Sequence, residues 1–537
     1  MNLSIAAESQ VPDKDAMLER LLEEVLEKHM QPEDRYEIAA ILESLGWNDL
    51  RAAQTFGVED VFELASDLWE RSHAKAKYTP FSKVDPMSLT QLIVSLTRTF
   101  LRGVLFAIPM AISVISMLSL KFSLWSYENL SVELATAIAI GTILSFVTVG
   151  GFTQAIARRG FFYIIQGYYN MARRTTFHFI GSGFIVCLLL CALFFVLNTV
   201  IQMFPFKMVG VIILYFFFLN TIWLSVTVMY ILKKELLFSG LIAFGIGIVF
   251  VLFKWVGVNI ILSQLISLLF VSMISIAIVV WLFKQAEKRG EKGIQPQLPK
   301  MSVTLYSIMP YFLYGFMYFS LLYVDRVMAW STNNKFTMPF LIWFRGEYEL
   351  GLDFALLVLI VPMGIAEVVL TKLMMDVEIS QKSYWGDETD VMNTTFRVIY
   401  YRRLLTIGSI AAVSAVALYF TLKMVFYKLD IPIGKTLFGS DLTHFVFIVA
   451  LVSYMLLAMA LMNAIILFSL SQPYLVLSAI WPALLLNVTT GFLLSRWLSY
   501  EYAVFGLFLG AAVFMILSTR NVIKVFRNLD YYLYAAS

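Results

Sequence analysis

The chain has 537 residues, 60% of them hydrophobic and 14% charged, with a mean hydropathy of +0.78. A soluble domain carries about 25% charged residues, so this composition excludes a wholly soluble protein and points to a chain that lives in a bilayer. The net charge of +3 hides a division, because residues 1–85 hold 18 acids and 9 bases (−9) while the remainder holds 19 acids and 31 bases (+12).

The polar, acidic start predicts no cleavable signal peptide. Residues 13–29 set Met17, Leu21, Leu22, Val25 and Leu26 on one stripe, the pattern of an amphipathic helix. Pro32 opens a second helix with Ile38, Ile41, Leu42 and Leu45 inward, stopped at Gly46. Asn48 caps a short third helix ending at Gly57, and Val61, Leu64, Leu68 and Trp69 define a fourth. Residues 1–85 therefore read as a small helical module with one shared core, on the cytoplasmic side. Its −9 charge repels phosphate, which argues against nucleic acid as a partner.

Beyond residue 85 come twelve apolar stretches, at 97–119, 132–156, 177–202, 208–232, 235–253, 259–283, 303–328, 351–375, 404–425, 442–468, 473–495 and 502–520. Each is close to the roughly 20 helical residues that cross a hydrocarbon core of about 30 Å. The expected fold is all-α, a polytopic membrane protein with twelve transmembrane helices. Lys and Arg crowd every second connection, including 157–176, 284–300 and 376–403, and the C-terminal tail. Basic connections stay inside, so both termini are expected in the cytoplasm and the protein in the inner membrane. The linker 283–300 divides the helices six and six, giving lobes at 86–300 and 301–537. Pro109 and Pro310 fall at similar depths in the first and seventh spans, and a long basic segment follows the second helix of each half. Paired halves with interrupted helices are the plan of an alternating-access transporter.

Ionisable residues inside a bilayer are costly and face a cavity or a partner. Glu367, in the eighth span, is the leading candidate for a substrate path, with Asp325 and Arg326 at the end of the seventh span and Asp353 nearer the outer end of the eighth. Arg98 and Arg102, one turn apart at the start of the first span, suit an anionic group or an interfacial position. Asn198, Asn220, Asn463 and Asn487 suit sugar hydroxyls or bonds between helices. The four histidines are scattered, and Cys187 and Cys191 read as packing residues, so no metal site, cofactor or catalytic residue is expected.

Residues 306–330, with Asp325, Arg326 and Trp330, resemble the seventh helix of the Pel exopolysaccharide exporter family. Residues 348–380, Ile222-Trp223-Leu224 and the Tyr-rich C-terminus are similar to other parts of that family, so the likeness covers roughly 90–537. The acidic module at 1–85 departs from it. The resemblance implies the wider group of multidrug, oligosaccharidyl-lipid and polysaccharide exporters. It also implies a membrane subunit, not an enzyme, that moves an exopolysaccharide or a lipid-linked precursor outward by rearranging two lobes. Residues 1–85, outside that likeness, are the part through which a scaffold would recruit a cytoplasmic glycosyltransferase. Two alternatives stand beside this. One is an ion-coupled flippase for lipid-linked oligosaccharide or an amphipathic cation. The other is a non-transporting scaffold or membrane glycosyltransferase component.

Overall fold

A computed structural model describes residues 14–29, 32, 34–78, 89–105, 108–127, 129–288, 299–333, 338–381, 389–428 and 432–534. The chain forms two compact units: residues 1–94 with 372–397, and residues 95–371 with 398–537. The boundary expected near residue 85 and most of the 283–300 linker lie outside the described residues.

The N-terminal module is four helices, α1 (Lys14–Lys28), α2 (Arg35–Ser44), α3 (Asp49–Phe56) and α4 (Val61–Tyr78). Asp34 accepts from the Glu37 amide at 2.8 Å and Asn48 from the Arg51 amide at 2.9 Å, each satisfying a donor left open at a helix start. Gly57 ends α3 at φ 68°, a left-handed conformation that glycine adopts freely. Leu21, Leu22, Val25, Leu42, Phe56 and Leu64 share one core. Full burial of such a side chain contributes roughly 1.5–3 kcal/mol.

The rest of the described chain is helical almost throughout. Its elements are α5 (Leu89–Leu105), α6 (Ile108–Leu120), α7 (Val132–Ile165), α8 (Tyr169–Ile201), α9 (Phe206–Ile231), α10 (Glu235–Phe250) and α11 (Ile260–Glu287). Then follow α12 (Met301–Trp330), α13 (Gly346–Leu356), α14 (Ile360–Gln381), α15 (Thr389–Lys428), α16 (Pro432–Gly439), α17 (Asp441–Ser469), α18 (Pro473–Trp497), α19 (Val504–Arg527) and α20 (Leu529–Tyr534). Among the described residues, eleven helical stretches are long and apolar enough to cross a membrane. They coincide with the second to twelfth expected spans.

Over the first expected span, 97–119, residues 106–107 lie outside the described residues, which are helical to Leu105 (α5) and again from Ile108 (α6), Pro109 among the latter. Pro310, its expected counterpart, sits inside a continuous α12. The basic segments after each second helix are largely helical among the described residues. The first is built into the end of α7 and the start of α8, leaving only residues 166–168 between them, and α15 runs for 40 residues. At 1.5 Å per residue, 40 residues span about 60 Å, twice the hydrocarbon core.

Two lobes result. In the first, α7, α9 and α11 pack around Tyr215, Leu219, Val226 and Leu268. In the second, α19 packs on α17 and α18, while α12 packs on α18 and α13 on α17. The lobes meet chiefly along α7 and α12. There Phe146 stacks on Phe319 (5.6 Å between centroids) and on Tyr323 (5.3 Å), and meets Trp223 at 4.8 Å. Toward the start of α12, Arg159 donates to Ser307 at 2.5 Å and the Arg158 guanidinium lies 5.0 Å from the Tyr311 ring centre. At the other end the Phe344 amide donates to Thr136 at 3.0 Å, and Phe340 packs on Phe204.

Candidate functional site

Asp325 and Arg326 stand next to each other on α12, and both are buried. Facing them, α13 presents Tyr348, Glu349 and Asp353, the two acids one turn apart. The Tyr348 hydroxyl donates to Asp325 Oδ2 at 2.8 Å. Arg326 Nη1 reaches both Glu349 and Asp353, donating to Asp353 Oδ1 at 3.1 Å. The Arg326 guanidinium also lies 5.0 Å from the Tyr323 ring centre, a cation–π contact. Two carboxylates thus share one guanidinium, with buried Asp325 beside it on α12; where such a group is desolvated, an unpaired charge costs several kcal/mol.

The cluster is graded in accessibility. The Arg326 side chain is 4% exposed and that of Glu349 14%, whereas that of Asp353 is 54% exposed. Asp325 Oδ1, Glu349 Oε2, Arg326 Nη2 and the Tyr454 hydroxyl are buried with no hydrogen-bond partner among the described residues. Spare acceptors beside a single cation can take a proton or a small cation. No group of three His, Cys, Asp or Glu residues among the described residues is placed to cage a metal ion.

Glu367 and Arg102 form a second meeting point. Glu367 is half-buried on α14, its backbone carbonyl accepting from Thr371 Oγ1 at 2.8 Å. Arg102 of α5 and Glu235 of α10 are the charges that act on its carboxylate. The helices cross there at Gly103 and Gly364; a Cβ built on Gly103 would stand 2.7 Å from the Gly364 Cα and 3.1 Å from the Glu367 Cβ. The structure therefore groups Asp325, Arg326 and Asp353 in one cluster and Arg102 with Glu367 at another crossing.

Asn220 and Asn487 lie elsewhere, both buried. Asn220 Nδ2 donates to the Phe216 carbonyl at 2.7 Å and to Cys187 Sγ at 3.4 Å. Asn487 Nδ2 donates to the Leu321 carbonyl at 2.8 Å, where Gly506 and Gly510 bring α19 close. Asn198 binds both the amide and the carbonyl of Phe204, and Asn463 joins Tyr400 to Ser518 and Thr519.

Sequence reasoning missed Glu349, Tyr348 and two arginines. Arg496 Nη1 donates to the Met328 carbonyl at 3.1 Å, and Arg345 Nη2 to that of Thr332 at 3.2 Å, closing the end of α12 beyond Arg326. Cations at a helix C-terminus are favoured by its dipole. The available signal for Glu349 was its four-residue spacing from Asp353.

This two-lobed arrangement, with the lobes joined along α7 and α12, is the fold of MATE transporters of the MOP superfamily. No protein-family model matches the chain, and no curated protein matches it in sequence. The chain is similar in structure to a mutant of the Vibrio cholerae MATE transporter VcmN, with 14% identity, a TM-score of 0.56, and coverage of 83% of this chain and 98% of that one. It is also similar to a MOP superfamily transporter from Pyrococcus furiosus, described by the reversed polarity of its binding pocket (14% identity, TM-score 0.52, 81% and 97% covered). A eukaryotic MATE transporter, AtDTX14, is similar as well (12% identity, TM-score 0.51, 82% and 96% covered). At these identities the likeness is one of fold.

Proposed function

We propose that the chain is an ion-coupled exporter that alternates access between its two lobes. One observation carries this reading: the buried cluster of Asp325, Arg326, Glu349 and Asp353, net negative, open toward Asp353 and lodged wholly in the second lobe. A site that binds a proton or cation in one lobe state and releases it in the other couples that ion to movement of the lobes. The substrate fitting an acidic, aromatic-lined surface is an amphipathic cation. Ion-coupled flipping of a lipid-linked oligosaccharide remains beside it. In this reading both termini face the cytoplasm and the membrane is the cytoplasmic one.

A second reading, export of an exopolysaccharide or its precursor, is favoured by the partly buried rings of Phe146, Trp223, Phe319 and Tyr323 where the lobes meet, since flat rings suit sugar faces. Here residues 1–85 would dock a cytoplasmic glycosyltransferase. Both readings are tested in vesicles containing the purified protein and an internal pH dye. Addition of ethidium should drive a proton or sodium flux that Asp353→Asn abolishes. Absence of any coupled flux, together with lost polysaccharide secretion in a deletion strain, would favour the second reading.

A further inference from the structure

We infer that the groove between α8 and α12 is a binding site for one anionic phospholipid, shared between the two lobes. The groove has a volume of about 260 Å³ and is walled by Phe152 of α7, Phe179 of α8, and Leu305, Ile308, Met309 and Phe312 of α12. Met301 also lines it, at the first residue of α12. From Met301 to Phe312 the helix rises about 16 Å, which matches the roughly 15 Å depth of one leaflet's hydrocarbon. Leu305 and Met309 remain 47% and 48% exposed, so the groove opens sideways. In a membrane protein that opening faces acyl chains.

Charge complementarity selects the headgroup. Lys300 caps α12 directly before Met301, adding its charge to the positive end of the helix dipole. On α8, exposed Arg174 precedes His178 by one turn on the face that carries His178 and Ser182 into the groove. Arg173 is engaged by Glu287 at 2.6 Å. Both bases thus stand at the leaflet-surface end of the groove, and apolar walls run from there to leaflet depth. A phosphate with a tail satisfies both. At the inner end, the Phe312 ring lies against Gly151, next to the contact of Gly150 with Gly315. A chain seated there touches α7 and α8 of the first lobe and α12 of the second.

The test uses the full-length protein in phosphatidylcholine vesicles containing a little phosphatidylglycerol with a photoreactive diazirine at its chain end. After illumination and digestion, adducts should map to the peptides holding 178–182 and 301–312. Unlabelled phosphatidylglycerol should displace them and phosphatidylcholine should not. The double variant Arg174→Glu/Lys300→Glu should lower that preference by about tenfold or more, given the usual strength of one base near an anionic surface. Leu305→Trp, which fills the groove, should lose the groove adducts. In both variants, adducts on the lipid-facing stretch 185–200 should persist and report an intact fold. Equal displacement by the two lipids, or an unchanged preference in the double variant, overturns the anionic site. Adducts confined to 185–200 in the wild type overturn the groove.

Discussion

Gly315 on α12 approaches Gly150 on α7 so closely that a Cβ on Gly315 would stand 2.1 Å from the Gly150 carbonyl oxygen. A similar approach joins α5 to α14 at Gly103 and Gly364. At both places a helix of the first lobe touches a helix of the second, backbone against backbone, because neither position carries a side chain. The lobes are therefore joined, at mid-helix in the case of α7 and α12, by contacts that tolerate no added atom.

Gly315→Ala should destabilise the protein by about 1–3 kcal/mol, the usual cost of overpacking, and Gly315→Leu should prevent assembly. Gly240→Ala is the control, since nothing lies within 4 Å of a Cβ there; it should be neutral or slightly stabilising, as expected of glycine replacement in a helix. Thermal unfolding in detergent, followed by size-exclusion chromatography, reads all three. Equal midpoints for Gly315→Ala and wild type would contradict the close crossing.

The charge cluster separates a residue needed for folding from one needed for coupling. Arg326→Met leaves Glu349 and Asp325 buried without a cation, and breaking a buried pair costs about 3–5 kcal/mol. Folded yield should fall sharply and recover in part when Glu349→Gln is added. Asp353, more than half exposed, should tolerate Asn with normal yield while ion-coupled flux is lost. Normal yield of Arg326→Met would show that the pairing carries little stability.

Glu367→Gln is expected to keep expression and strongly reduce export, whereas Asp325→Asn gives a smaller loss. The half-buried Glu367 carboxylate lies in the field of Arg102 across the α5–α14 crossing, so Arg102→Gln should impair export in the same direction. Export in cells, normalised to the amount of membrane-inserted protein, is the measurement. Full export by a well-expressed Glu367→Gln variant rules out a required charge there.

The N-terminal module should fold without the membrane helices. A fragment of residues 1–80 is expected to be soluble and helical by circular dichroism. Leu42→Ala should cost it about 2–5 kcal/mol, as for other buried leucines, and Asn48→Ala about 1 kcal/mol through the lost cap. A random-coil spectrum from the unmodified fragment would leave an acidic segment that orders only on a partner.

The sequence alone determined where the chain is helical and where it is buried in lipid. Hydropathy over about 20 residues is a strong local signal, because each crossing must satisfy its own backbone bonds. In the module, Asp34, Asn48 and Gly57 act through hydrogen bonds within a few residues, and the sequence carries such signals openly. It also singled out Asp325, Arg326, Asp353 and Glu367, since charge in an apolar run is conspicuous. Only the tertiary structure decided what these residues meet. Arg326 reaches Glu349 and Asp353 from 23 and 27 positions away, and Tyr348 and Tyr454 are two among 26 tyrosines until packing sets them beside that guanidinium. Pro310 shows the same limit: proline always removes a donor, yet α12 runs on through it, packed against helices on both sides.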